Sequence, residues 1–326
     1  MEIVENINKL SREKIPFIFI IDFEMEKPLL FSMNELPENI FFKIGNIQKI
    51  PDTNIKTIPE KIKLFIKPIE YDKYLKKINI VQEEERNGNS YLTNLTFKTK
   101  IETNIPLETI FILAEAKYKI LLQDNFLVFS PETFIRIKDG YIYSYPMKGT
   151  IDASIENAEK ILLEDQKEIA EHITIVDLIR NDLNSVSENV EVIKYRYIET
   201  IKTNNKKILQ TSSEIRGKLP ENYYSNLGEI IFKLLPAGSV SGAPKKKTVE
   251  IIKKAENEKR GYYTGVFGYF DGKNLDSCVM IRYIEKVHDK IYYRSGGGIT
   301  VYSDPKKEYQ ELLDKIYVPI HRNNTI

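Results

Sequence analysis

The chain has 326 residues, 42% of them hydrophobic and 29% charged, with 48 Lys and Arg against 47 Asp and Glu for a formal net charge of +1. That balance describes an ordinary folded protein of one large domain or two closely packed halves, and it supplies no field for nucleic acid or an anionic membrane. Cys278 is the sole cysteine, and His172, His288 and His321 stand far apart, so neither an internal disulfide nor a Cys/His metal site is expected.

The N-terminus, MEIVENINKLSREK, is acidic and mixed rather than leader-like, and apolar runs such as IPFIFII are too short to cross a bilayer; a cytoplasmic protein is expected. Residues 15–33 read as two strands around a Glu-Lys-Pro turn, and residues 1–69 as a short β-rich part of the same domain as 70–326. Apolar punctuation at Tyr74, Leu75, Ile78, Ile80 and Val81 predicts an amphipathic helix over 70–88 ending near Asn-Gly-Asn. YLTNLTFKT reads as a strand, IPLETIFILAEA as a helix, and NFLVFS and TFIRIKDGYIYSYPM as strands with an Asp-Gly turn. One long helix is predicted over about 153–180, followed by polar turns and further strands.

AGSVSGAPKKKTVEIIKKAENEKRG reads as a glycine-bracketed turn and a helix with Pro244 near its first turn, stopping at Gly261. YYTGVFGYF, DSCVMIRYIEKV and KIYYRSGGGITVY read as antiparallel strands. SDPKKEYQELLDKIYV reads as a helix capped by Asp304 with Pro305 at its first position. Strands in consecutive runs with helices between groups predict an α+β protein.

Several patterns carry chemistry. Glu168 and Glu171, and again Glu308 and Glu311, stand three apart on predicted helices, which puts each pair on one helical face. Two such pairs facing each other would suit a hard dication such as Mg²⁺, although a solvated helix face has the same spacing. The turn 237–245 offers a helix N-terminus to an anion but lacks the Walker A ending, so by itself it reads as a structural turn with a well-placed proline. SGGGI at 295–299 places glycines in a strand, where they cost stability unless something needs the backbone close by, a ligand or a bulge. Arg282, in apolar surroundings, calls for a carboxylate partner unless alternation points it outward. Lys148, in YPMKGT between a predicted strand and helix, is by itself an unremarkable loop charge.

In order, SPETF, YPMKGT, EHITIVDLIRNDL, PAGSVSGAPKKKTVEII, RGYYTGVFGYF, MIRY and SGGGITVYSDPKKEYQELLDK resemble the chorismate-utilising enzymes over about residues 70–320. The resemblance implies their fold: large, mainly antiparallel sheets in a sandwich with helices outside. A lysine in P-x-K-G-T resembles aminodeoxychorismate synthase component I, where anthranilate synthases usually carry alanine. Isochorismate synthases place a water-activating lysine where Thr93 stands. Carried over residue by residue, the resemblance implies Lys148 as nucleophile and Glu132 as general acid. Glu171 and Glu311 would hold Mg²⁺, with Glu168 and Glu308 acting directly or through water. Thr150, Tyr263, Arg282 and the amides of Gly297 and Gly298 would bind the substrate's carboxylates, and Lys245 would lie near metal and substrate. Gln210 stands where some members carry a histidine, and the N-terminal part is too short for the feedback pocket of some relatives.

These parts would make a coherent reaction. Chorismate has a poor hydroxyl leaving group at C4, and a carboxylic acid kept protonated by burial could give it a proton. A neutral lysine amine could attack C2, and ammonia could then expel it from C4, preserving the 1,4 relationship of the ring; alanine at 148 would let ammonia reach C2 instead. Cys278 lies in a strand rather than a nucleophile elbow, so ammonia is expected from a separate glutamine amidotransferase subunit. With 15 residues after Glu311, no fused lyase domain is expected. Other products of the same family, or a silent chorismate-binding subunit, are the alternatives.

Overall fold

The structure, a computed structural model, describes residues 1–52, 59, 62–202 and 207–320; His321 lies outside them. Eight helices are described: α1 (Glu2–Arg12), α2 (Tyr71–Arg86), α3 (Leu107–Leu113), α4 (Ala158–Glu164), α5 (Gln166–Asn184), α6 (Leu227–Lys233), α7 (Lys245–Glu256) and α8 (Pro305–Asp314).

They surround two nine-stranded antiparallel sheets. The first runs Met147–Asp152, Lys207–Lys218, Tyr141–Ser144, Thr133–Lys138, Leu275–Val279, Val266–Phe270, Phe17–Ile21, Leu29–Ser32, with Glu188–Lys202 also on Lys207–Lys218. The second runs Gly242–Ala243, Leu92–Thr103, Lys290–Ile299, Tyr283–Val287, Phe126–Ser130, Tyr118–Leu122, Ile40–Ile44, Ile47–Lys49, with Leu64–Lys67 also on Leu92–Thr103.

The strand Phe17–Ile21 shows how the layers stack. It is apolar at every position because both its faces are covered. Ile18 and Ile20 meet Ile40, Phe42, Tyr118 and Val128 of the second sheet, while Phe17, Phe19 and Ile21 meet a helical layer that includes Ile7, Leu183, Leu227 and Ile231. Behind the second sheet, Leu95 and Phe97 pack against Tyr74 and Ile78 of α2, Ile251 of α7 and Leu312 of α8. The result is an α+β sandwich of sheets with helices outside, as expected.

Three differences from the expected elements matter. The long helix is two: α4 stops at Glu164, and Asp165 begins α5 by accepting a hydrogen bond from the Glu168 N–H (3.0 Å). The segment 2–12, within the part expected to be β-rich, is helix α1, whose Val4 and Ile7 face the core. DSCVMIRYIEKV is not one strand. Leu275–Val279 lies in the first sheet and Tyr283–Val287 in the second, and Arg282 sits at the junction with φ +54°.

Candidate active site

The chain passes between the sheets at two adjacent places, and each carries an expected site residue. Strand Phe126–Ser130 hands over to Thr133–Lys138 through Glu132, and Leu275–Val279 hands over to Tyr283–Val287 through Arg282. Two backbone bonds stitch the junctions together: Phe129 N–H to the Arg282 carbonyl and Val279 N–H to the Glu132 carbonyl, each 3.2 Å. Glu132 therefore sits within electrostatic reach of Arg282 and Lys148. Burial pushes its carboxyl above the ordinary value, and the Ser239 hydroxyl and those two cations only partly offset the rise. Ser239, inside the glycine-bracketed turn, is a partner the sequence alone did not single out.

Lys148 is not on a loop. It lies in strand Met147–Asp152, opposite Thr211, at a register shift between Lys148 and Thr150. Gly149 makes the shift with φ +81°, and a Cβ there would meet the Glu168 carboxylate at 2.9 Å, so glycine is required twice over. The Lys148 amine is partly buried and donates to Glu171 Oε2 at 3.0 Å. Thr150, beyond the bulge, is exposed and pairs with Gln210, whose buried amide oxygen has no partner.

The glycine run lies beside this amine. Strand Tyr283–Val287 ends its pairing at Tyr283 opposite Arg294, so residues 295–299 have a neighbouring strand on one side only, Leu92–Thr103. A Cβ on Gly298 would stand 3.4 Å from the Lys148 amine, and one on Gly297 would stand 3.7 Å from Glu308 Oε2. Without those side chains, the Lys148 side and the α8 side both approach the same bare strand edge. This is a close approach of backbone rather than a bulge.

The four glutamates converge on this edge. Lys167 feels all four, Glu171 and Glu308 most strongly after its own burial. Burial raises Glu168, and the charge of Glu171 adds to it; burial likewise raises Glu308. Burial also acts on Glu311, but Lys315 at 2.6 Å more than offsets it and the carboxyl falls below its ordinary value. Partly buried carboxylates that repel one another and recruit ammonium groups are the oxygen donors a hard dication takes, and Glu311, at 56% exposure, is the most open of the four. Among the described residues no three acidic, imidazole or thiol groups already form a cage; lysines pair with Glu171 and Glu311 instead.

The remaining expected residues are distributed around this centre. Tyr263 is buried, its phenol pushed up to about 12 by burial, with its ring 5.6 Å from that of Tyr283 and close to Arg294. Arg282 donates to the Lys315 carbonyl at 2.9 Å and lies over Tyr317, and its buried Nε has no partner. Lys245 is turned toward Asp182, bonding both its oxygens at 2.7–2.8 Å, and toward none of the four glutamates. Cys278 is fully buried, with burial holding its thiol in the protonated form.

Comparison with known proteins agrees with this architecture. The family described as chorismate binding enzyme matches residues 43–321, and the chain belongs to that family. An uncharacterized PabA-like protein of Haemophilus influenzae is 51% identical over 97% of this chain and 96% of its own length. Aminodeoxychorismate synthase component 1 of Bacillus subtilis is 29% identical over 79% of this chain and 57% of its own. The crystal structure of anthranilate synthase component I from Streptococcus pneumoniae superposes with a TM-score of 0.66 at 28% identity, covering 79% of this chain and 59% of that one.

Proposed function

We propose that this chorismate-binding enzyme is an aminodeoxychorismate synthase component I, converting chorismate and ammonia to 4-amino-4-deoxychorismate and water. The observation that carries the reading is the placement of Lys148. Its amine stands beside bare Gly298, paired with Glu171 and within the field of Glu132. An alanine there would leave ammonia as the only nucleophile, so the lysine decides which carbon is aminated.

In the proposed sequence, the Lys148 amine forms a bond to C2 while the C4–O bond breaks. Glu132, whose carboxyl burial pushes above its ordinary value, gives its proton to the departing hydroxyl, which leaves as water. The proton shed by the lysine nitrogen restores the acid. Ammonia then bonds to C4 as the C2–N bond breaks, and the surplus proton of the incoming nitrogen passes to the departing lysine. The unpartnered Nε of Arg282 and the one-sided backbone of Gly297 and Gly298 offer donors for the substrate's carboxylates. Tyr263 and Thr150 would border the same space.

Glu171 and Glu311, supported by Glu168 and Glu308, would hold Mg²⁺. When bound, the ion would draw electrons from the ring carboxylate and neutralise Glu171, the present partner of Lys148. Buried Cys278 is a poor nucleophile, which supports an external glutamine amidotransferase as the ammonia source.

The test is product identification by chromatography and mass spectrometry from chorismate, Mg²⁺ and ammonium, then with glutamine and a candidate amidotransferase. Aminodeoxychorismate is expected. Anthranilate or isochorismate as the main product would assign a different reaction, and tight chorismate binding with no turnover would assign a regulatory subunit.

A further inference from the structure

We propose that Thr211 is a positioning residue that clamps the peptide carbonyl of Lys148 and thereby aims its amine at the glycine edge. The inference rests on the reading of Lys148 as the attacking group, and it concerns a residue that lies outside the proposed substrate and metal sites.

Thr211, opposite Lys148 in the register, donates its hydroxyl to the Lys148 carbonyl. His172, the residue after Glu171 on α5, is fully buried with Nε2 at 2.7 Å from Ser213 Oγ. That hydroxyl oxygen already accepts the Arg196 N–H at 3.0 Å, so its own hydrogen is free to go to Nε2. Nδ1 of the same ring has no hydrogen-bond partner.

The Lys148 carbonyl thus takes a side-chain hydroxyl from the facing strand, which fixes the direction of its peptide plane. The residue that follows is Gly149, the least restricted hinge a chain can have, with φ +81°. Without the clamp, rotation about that hinge would swing the Lys148 side chain off the strand edge. Ser213 tightens the arrangement further, because its N–H donates to the Pro146 carbonyl at 3.0 Å. One buried triad thus ties α5, which carries Glu171, to the strand that carries Lys148.

The experiment compares Thr211→Val, which keeps the shape and removes the hydroxyl, with Thr211→Ser, which keeps the hydroxyl. Thermal melts confirm folding. Two readouts are taken: kcat and KM for chorismate with Mg²⁺ and ammonium, and the rate at which trinitrobenzenesulfonate labels Lys148 relative to exposed Lys160, by peptide mass spectrometry. Thr211→Val is expected to lower kcat roughly 10- to 100-fold with KM within about threefold, since small misplacements of a reacting group cost that much. It should also change Lys148 labelling at least threefold. Thr211→Ser should restore both. Unchanged kcat and labelling in Thr211→Val, or equal damage in Thr211→Ser, would overturn the clamp. If the wild type makes no aminodeoxychorismate, the proposed reaction fails, and the labelling comparison still decides the clamp by itself.

Discussion

Two arginines, Arg260 and Arg282, are held in opposite ways. Arg260 is 1% exposed, and every one of its nitrogens is used: Glu256 takes Nε and Nη2 at 2.9 and 2.6 Å, Val240 and Asn94 carbonyls take the rest, and Phe23 covers the plane. Glu256 in turn accepts from the Thr96 N–H and hydroxyl, so no charge in that hub is left over. Arg282 sits at a strained left-handed φ with a buried Nε unpartnered. A buried charge that is fully satisfied ties together the loop 237–245, the second sheet and α7; one left incomplete at a chain crossing is prepared for something that arrives. Variants should therefore separate stability from turnover.

The largest effect is expected at the site itself. Lys148→Ala should abolish aminodeoxychorismate formation while chorismate binding and the melting temperature stay close to wild type, because the side chain is only partly buried and its partner Glu171 keeps a second ammonium, Lys167, nearby. Substrate titration followed by product analysis measures both, and surviving product would remove Lys148 from the nucleophile's role.

At the hub the expectation reverses. Arg260→Met strands Glu256 in a buried position, which should cost about 3–5 kcal/mol. Urea unfolding reads that loss. If Arg260→Met melts like wild type while losing activity, the hub belongs to the site and the contrast collapses.

Glu85 lies between these extremes and sharpens the comparison. It is 7% exposed at the end of α2, both carboxylate oxygens lack partners, and burial, with only a small opposing effect from Thr93, pushes its carboxyl up to about 7. Because the folded state binds the proton more tightly than the unfolded chain, stability is complete below about pH 4.5 and falls as pH rises toward 7, after which it levels. The full loss is about 3 kcal/mol for a shift of that size. Glu85→Gln should flatten this slope in urea titrations at pH 5 and pH 8; parallel slopes would show that another group carries it.

These contrasts also explain what could be read in the sequence. The strands, α2, α7 and α8 follow from periodicity and capping residues, and Asp304 and Pro305 open α8 as expected because those rules are local. The glutamate pairs were visible for the same reason. Arg282's crossing was not, since an apolar run through MIRYI looks like one strand whether it stays in one sheet or passes to another. The α4–α5 break turned on a single capping aspartate in a continuously helical pattern. Thr211, His172 and Glu85 matter only through register and burial, which spacing along the chain does not report. Ser239 was hidden for a different reason: it lies in a turn whose glycines drew attention to the backbone.

The smallest predicted effect bears most directly on the comparison. Arg282→Lys keeps the positive charge but loses the planar fork that can hold a carboxylate through two parallel bonds. A lysine there could not use both the Lys315 carbonyl and an incoming carboxylate in the same fixed geometry. Since the Nε is already unpartnered, little stability should be forfeited, and the melting temperature should move by no more than a degree or two. Chorismate KM should rise roughly 10- to 100-fold, about 1.4–2.8 kcal/mol of lost binding, with kcat changed less. Steady-state kinetics and a melt on the same preparation separate the outcomes. A large drop in stability with normal KM would make Arg282 a second structural hub, and the orphaned nitrogen would then be a defect of packing rather than a place kept for substrate.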